Sequence, residues 1–128
     1  MSDENTIVIE KTLFGEKRPW GTYVNLYDGE DCKVKRIIIN AGESPSYQMH
    51  HKRSEIWSVI SGTGVVRLED ETTEVQPGDI VQVPALAKHT IINNSDEPLV
   101  FIEIQLGSYF GEDDIVRFED KYGRTSDP

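Results

Sequence analysis

Four residues in this chain have side chains that bind metal ions and stand in frames that let them meet: Gln48, His50, Glu55 and His89. Residues two apart in an extended strand share a face, so Gln48 and His50 point the same way and Met49 points opposite. Glu55 opens the next apolar run, with Trp57 and Val59 as its alternation partners. The polar stretch 51–54 can form the turn that returns Glu55 beside His50 on a neighbouring strand. His89 shares a face with Ile91 and Asn93, one hairpin and two strands later. A closed barrel can point all four side chains into one interior. Imidazole nitrogen, carboxylate and amide oxygen form a mixed donor set that suits zinc, manganese, iron, nickel or cobalt. Without a thiolate, the set leaves a position for water or a substrate oxygen. One such histidine alone is usually an ordinary strand residue. Four donors in compatible frames point to one divalent ion per chain.

Strands must position these groups, and the chain supplies them. Apolar residues alternate or form short β-branched runs at 37–39, 59–60, 64–66, 80–83, 91–92 and 99–106. Turn punctuation separates them at 40–42, 61–62, 69–71, 76–79 and 93–98. This rhythm predicts an all-β sandwich or barrel. No segment before residue 108 has helical periodicity, and the tail 112–124 is expected to form one short helix or an ordered arm. A chain of 128 residues fits a single domain and can bury a core without disulfides. The expected division is a barrel core at 20–107, an N-terminal arm at 1–19 and a C-terminal extension at 108–128. The net charge of −10 argues against nucleic acid and anionic membranes as partners. Cys32 is the single cysteine, so neither an intrachain disulfide nor a thiol zinc site is expected. Residues 1–6 are polar and acidic with no apolar core of a signal peptide, and no apolar run reaches membrane-spanning length. A cytoplasmic location is the expectation.

The glycines add specificity. The string Gly42-x5-Gln48-x-His50-x4-Glu55-x6-Gly62 resembles the first cupin motif, and Gly78-x5-Pro84-x4-His89-x3-Asn93 resembles the second. Gln48 replaces the usual first histidine and Leu86 replaces a glycine of the second motif. The resemblance narrows at Arg18-Pro19-Trp20-Gly21, Lys33-Val34-Lys35-Arg36, Gln48-Met49-His50-His51, Arg53-Ser54-Glu55 and Gly111-Glu112-Asp113-Asp114-Ile115-Val116-Arg117. These look like the cupin domain of type II phosphomannose isomerases, over residues 17–124. In that family the domain commonly follows a mannose-1-phosphate guanylyltransferase domain, whose activity is not carried over to this sequence. The resemblance implies a double-stranded β-helix (jelly-roll) barrel and a divalent ion, zinc foremost, on Gln48, His50, Glu55 and His89. It also implies a functional arginine at Arg53. Where the family usually carries two further histidines, this chain has Lys52 and Ile56.

An aldose–ketose isomerase needs a Lewis acid at the C1 and C2 oxygens, a group that moves a proton between those carbons, and cations for the phosphate. The metal would supply the first. His51 or a water could supply the second. Arg53, Lys35, Lys88 and Arg117 are candidates for phosphate or enediolate charge, and Trp20 and Trp57 for core packing or a sugar face. The expected function is interconversion of mannose 6-phosphate and fructose 6-phosphate. The alternatives are a non-catalytic metal cupin that binds a sugar or sugar phosphate, and another cupin enzyme such as a dioxygenase or epimerase. A homodimer is expected from exposed strand edges and from the run Ile7-Val8-Ile9 in segment 6–13.

Overall fold

The structure is a computed structural model that describes residues 14–123. Segment 6–13, invoked for dimerisation, and the last residue of the tail read as 112–124 lie outside the described residues. Eleven strands follow in chain order: β1 (Phe14–Arg18), β2 (Gly21–Asp28), β3 (Cys32–Ile39), β4 (Tyr47–Met49), β5 (Arg53–Ser61), β6 (Gly64–Leu68), β7 (Glu71–Val75), β8 (Ile80–Val83), β9 (His89–Ile92), β10 (Leu99–Gly107) and β11 (Val116–Glu119). They form a six-stranded sheet ordered β1-β2-β3-β10-β5-β8 and a five-stranded sheet ordered β11-β4-β9-β6-β7. Every pairing is antiparallel. From β3 onward the chain passes between the two sheets at every step except the β6–β7 hairpin, which is the jelly-roll arrangement of a cupin.

The core forms where the inner faces meet. Tyr23, Ile37, Ile39, Trp57, Val59 and Phe101 come from the larger sheet, and Val66, Val75 and Ile91 from the smaller. On β5 the alternation is complete: Arg53, Glu55, Trp57 and Val59 are buried, and the residues between them are half-buried. Charged side chains on that inner face cannot be filler, because burying an unpaired charge is costly.

Turn chemistry fixes the registers. Leu68 pairs with Glu71, and the two residues between them, Glu69 and Asp70, both have positive φ (49° and 68°), the requirement of a type I′ hairpin. Tyr47 pins that hairpin. Its hydroxyl donates to Asp70 Oδ1 (2.9 Å) and accepts from the Asp70 amide (3.0 Å). Gly62 closes the β5–β6 turn at φ 80°, where an added Cβ would lie 2.3 Å from the Pro98 carbonyl oxygen. Asn93 is fully buried and ties the 93–98 loop together. It donates to the carbonyls of Ile39 (3.0 Å) and Glu97 (2.7 Å), and its Oδ1 accepts from Ser95.

The tail takes the second of the two forms expected of it. Among the described residues there is no helix, and 116–119 add strand β11 to the edge of the smaller sheet beside β4. The larger sheet also begins before residue 20, because β1 pairs with β2. No helix among the described residues is long and apolar enough to cross a membrane.

Candidate metal centre

Both sheets contribute to one pocket. From the smaller sheet, Gln48 on β4 pairs in register with His89 on β9 and with Arg117 on β11, so the three stand in one row. His50 follows the end of β4. From the larger sheet come Glu55 and Arg53 on β5, Lys35 on β3, and Glu103 and Gln105 on β10. Glu103 lies opposite both Lys35 and Trp57, and Gln105 lies opposite Glu55. All of these residues line the pocket, as do Arg18, Trp20 and the more exposed Glu112.

His50, Glu55 and His89 are buried, and each offers a donor atom within 4.8 Å of the others. The ring orientations are set from behind. His50 Nδ1–H donates to the Asp114 carbonyl oxygen (2.6 Å), and His89 Nδ1–H donates to the Ala87 carbonyl oxygen (2.9 Å). Each ring therefore keeps its Nε2 lone pair for the pocket, the usual back-bonding of a metal-binding histidine. Those Nε2 atoms lie 3.5 Å and 3.8 Å from Glu55 oxygens. Glu55 Oε1 accepts from Trp57 Nε1 (2.9 Å) and Oε2 from Arg53 Nε (2.9 Å). Two imidazoles with Nε2 facing the pocket, a carboxylate and the Gln48 amide beside them are a donor set that fits a divalent ion.

The electrostatics agree. Burial, then the charge of Arg53, pushes His50 down to about 4, so its ring is neutral at neutral pH. Burial would raise Glu55, but His89, Arg53 and His50 outweigh it and hold the carboxyl down at about 2. Glu103 moves the other way: burial and the neighbouring Glu55 charge push it up to about 8, and it hydrogen-bonds Glu55. Its Oε1 also accepts from Gln105 Nε2 (2.6 Å). Glu112 is held below the ordinary carboxylate range. Burial opposes this, and Lys35 and Arg53 overcome it.

Not every residue singled out from the sequence reaches the pocket. Gln48, His50, Glu55, His89, Arg53, Lys35 and Arg117 do. His51 does not. Its side chain is half exposed, its Nδ1 lies 3.4 Å from Asp114 Oδ1, and it turns to the outside because β4 has already ended. Lys88 also stays outside, with Nζ 4.7 Å from the Phe118 ring centroid. Lys52 and Ile56, where the family usually has histidines, lie outside the lining too. Glu103 and Gln105 are not among the residues the sequence points to, and Glu112 and Asp114 enter there only within the family string 111–117, with no role attached. For the first two a signal exists: they continue the alternation of Phe101 inside a strand, so a charge and an amide fall on the inner face. Asp114 sits on a non-repetitive segment. Its carboxylate accepts the His51 and Lys52 amides (3.1 and 2.9 Å) while its carbonyl holds His50.

Relatives share this chain over most of its length. It is 47% identical over 108 residues to the xanthan biosynthesis protein XanB of Xanthomonas campestris, covering 84% of this chain and 23% of that protein. It is 45% identical to the mannose-1-phosphate guanylyltransferase ManC of Salmonella typhimurium, covering 84% and 22%. The chain thus spans under a quarter of the length of these relatives. Among solved structures, the capsular polysaccharide assembling protein CapF of Staphylococcus aureus superposes with a TM-score of 0.71 at 24% identity, over 84% of this chain and 32% of that one. At that identity the likeness speaks to the fold alone. A candidate sugar phosphate isomerase of Acidithiobacillus ferrooxidans superposes with a TM-score of 0.59 at 30% identity, over 69% and 61%. Residues 4–120 match the family model described as mannose-6-phosphate isomerase C-terminal, and the chain belongs to that cupin family.

Proposed function

We propose that the chain is a metal-dependent sugar-phosphate isomerase that interconverts mannose 6-phosphate and fructose 6-phosphate through an enediol. It would act in the cytoplasm as a homodimer with one divalent ion, zinc foremost, on each chain. The observation that carries this reading is the meeting of the N/O donor set with cations in one pocket: Lys35, Arg53 and Arg117 stand around Gln48, His50, Glu55 and His89. Family membership supports the substrate class.

Gln48, His50, Glu55 and His89 would hold the ion, which supplies Lewis-acid polarisation of the sugar oxygens. Arg53 lies against the donor set, and its guanidinium can stabilise negative charge on an oxygen as a proton leaves the adjacent carbon. Lys35 and Arg117 are placed to bind phosphate. With His51 outside, proton transfer falls to Glu103, which burial and the Glu55 charge push up to about 8, so that it can give a proton and, once ionised, take one back.

The test uses metal-loaded protein with hexose 6-phosphates in deuterated water. Isomerisation, with deuterium entering C1 or C2 in part of the turnovers, is the expected result. Arg53→Lys should lower turnover strongly and leave metal content intact. A protein that binds a hexose 6-phosphate but neither interconverts nor labels it is a sugar-phosphate binding module. That second reading is favoured by Lys52 and Ile56, which stand where the family usually carries histidines.

A further inference from the structure

Arg53 touches the atoms that the metal needs. Its Nε–H donates to Glu55 Oε2 (2.9 Å), and its Nη2–H donates to His50 Nε2 (3.0 Å). Because His50 Nδ1 carries its proton toward the Asp114 carbonyl, Nε2 has a single lone pair. That lone pair cannot serve a guanidinium and a metal ion together. The third nitrogen, Nη1, is buried without a hydrogen-bond partner. Glu112 Oε1 lies 3.9 Å from it, beyond hydrogen-bond reach. The Arg53 side chain is only 5% exposed, so its charge must always be answered by a nearby carboxylate.

Resting on the metal reading of this same site, we propose that Arg53 is the resident cation of the donor set. On this proposal a divalent ion displaces its guanidinium from His50 Nε2 toward Glu112. Two facts drive the exchange. The lone pair admits one partner, and two positive charges repel strongly at short range in a dry pocket. Glu112 is a suitable receiver, because Lys35 already holds its carboxylate in place (2.8 Å). Glu112 sits on the 108–115 segment, whose Asp114 also orients His50. The same segment therefore supports both the metal donor and the displaced cation. The move also brings the guanidinium to the pocket rim, where an anionic ligand would meet it, so ion loading and ligand readiness are coupled.

A residue that merely braces Glu55 would behave oppositely, and this makes the inference testable without any sugar. The metal-stripped 128-residue chain is titrated with zinc or cobalt by calorimetry, with folding checked by circular dichroism. Arg53→Met and Arg53→Gln should each bind the ion roughly tenfold or more tighter than wild type, because the competing cation is gone. Glu112→Gln should bind it about threefold or more weaker in the wild-type background and lose most of that effect in the Arg53→Met background. Equal or weaker binding in a folded Arg53 variant overturns the inference, as does a Glu112 effect that persists in full without Arg53. If Arg53→Met does not fold, the glutamine variant, which keeps an amide donor for Glu55, carries the comparison. No turnover is read, so an inactive isomerase leaves the result standing. A wild-type chain and variants that all fail to bind zinc or cobalt would overturn the metal reading and this inference together.

Discussion

Glu55 and Glu103 share one proton, and that has a consequence for stability. Glu103 titrates at about 8 in the fold against an ordinary value of 4.5. The folded state keeps this proton where the unfolded chain has lost it. Its contribution is therefore fully present below pH 4.5 and is lost as pH rises through about 8. In the metal-free protein, thermal melts at pH 5 and pH 8.5 should show wild type weakening on the alkaline side and Glu103→Gln holding nearly level. A wild type and variant with parallel profiles would contradict the shared proton. The donor set has its own test. His50→Ala/His89→Ala should abolish binding of the ion, Gln48→Ala should weaken it less than His50→Ala, and acid should release it as the imidazoles protonate. Metal analysis at graded pH reads all three. The meeting of Gln48, His50, Glu55 and His89 in one pocket was legible because period-two spacing decides which side chains share a face. Glu103 and Gln105 were hidden inside a run read simply as a strand. The same alternation sets His51 on the face opposite His50, and the structure leaves it outside the pocket.

At the scale of elements, Leu86 is the informative departure. It has φ 71° at a position where the second cupin motif has glycine, and its amide donates to the His50 carbonyl (2.8 Å). The sequence pointed to this position, and the backbone gives the reason: a left-handed turn that aligns the approach to His89. Because a side chain in that region is strained and Leu86 is largely exposed, Leu86→Gly should raise stability by about 0.5–1 kcal/mol. Urea unfolding checks it, and a loss of stability would mean the side chain contributes packing that outweighs the strain. Strands β3, β5, β6, β8, β9 and β10 were readable from their apolar, β-branched runs. The strands β1, β7 and β11 were not, because their residues are mostly polar and half or fully exposed, as in Glu71 through Glu74 of β7. Such strands exist through the partner they pair with, which a local pattern does not display.

At the scale of the whole molecule, four strands form sheet edges among the described residues: β1, β8, β7 and β11. Three carry charges that discourage pairing: Glu16 to Arg18 on β1, Glu71 and Glu74 on β7, and Arg117 and Glu119 on β11. The fourth, β8, reads Ile80-Val81-Gln82-Val83 with no charge, and Ile80 is 66% exposed. An uncharged antiparallel edge is self-complementary about a two-fold axis, so β8 is where a homodimer should form. Light scattering of wild type should give the mass of two chains, and Ile80→Lys should give the mass of one. A dimer that survives Ile80→Lys would place the interface elsewhere.

The position of β10 also sets the order in which the molecule can be assembled. It lies between β3 and β5, and until residues 99–107 are made, the larger sheet is two separate pieces with open edges facing each other. Lys35 belongs to one piece and Glu55 to the other. The strand that joins them brings Glu103 and Gln105, and Asp114 follows it. During synthesis the pocket can therefore neither form nor fill until residues through Asp114 have been made. Its long-range pairings put it among the slower folders for its size. A ribosome-bound chain shorter than residue 107 exposes two unpaired strand edges, and in that interval it depends most on chaperones.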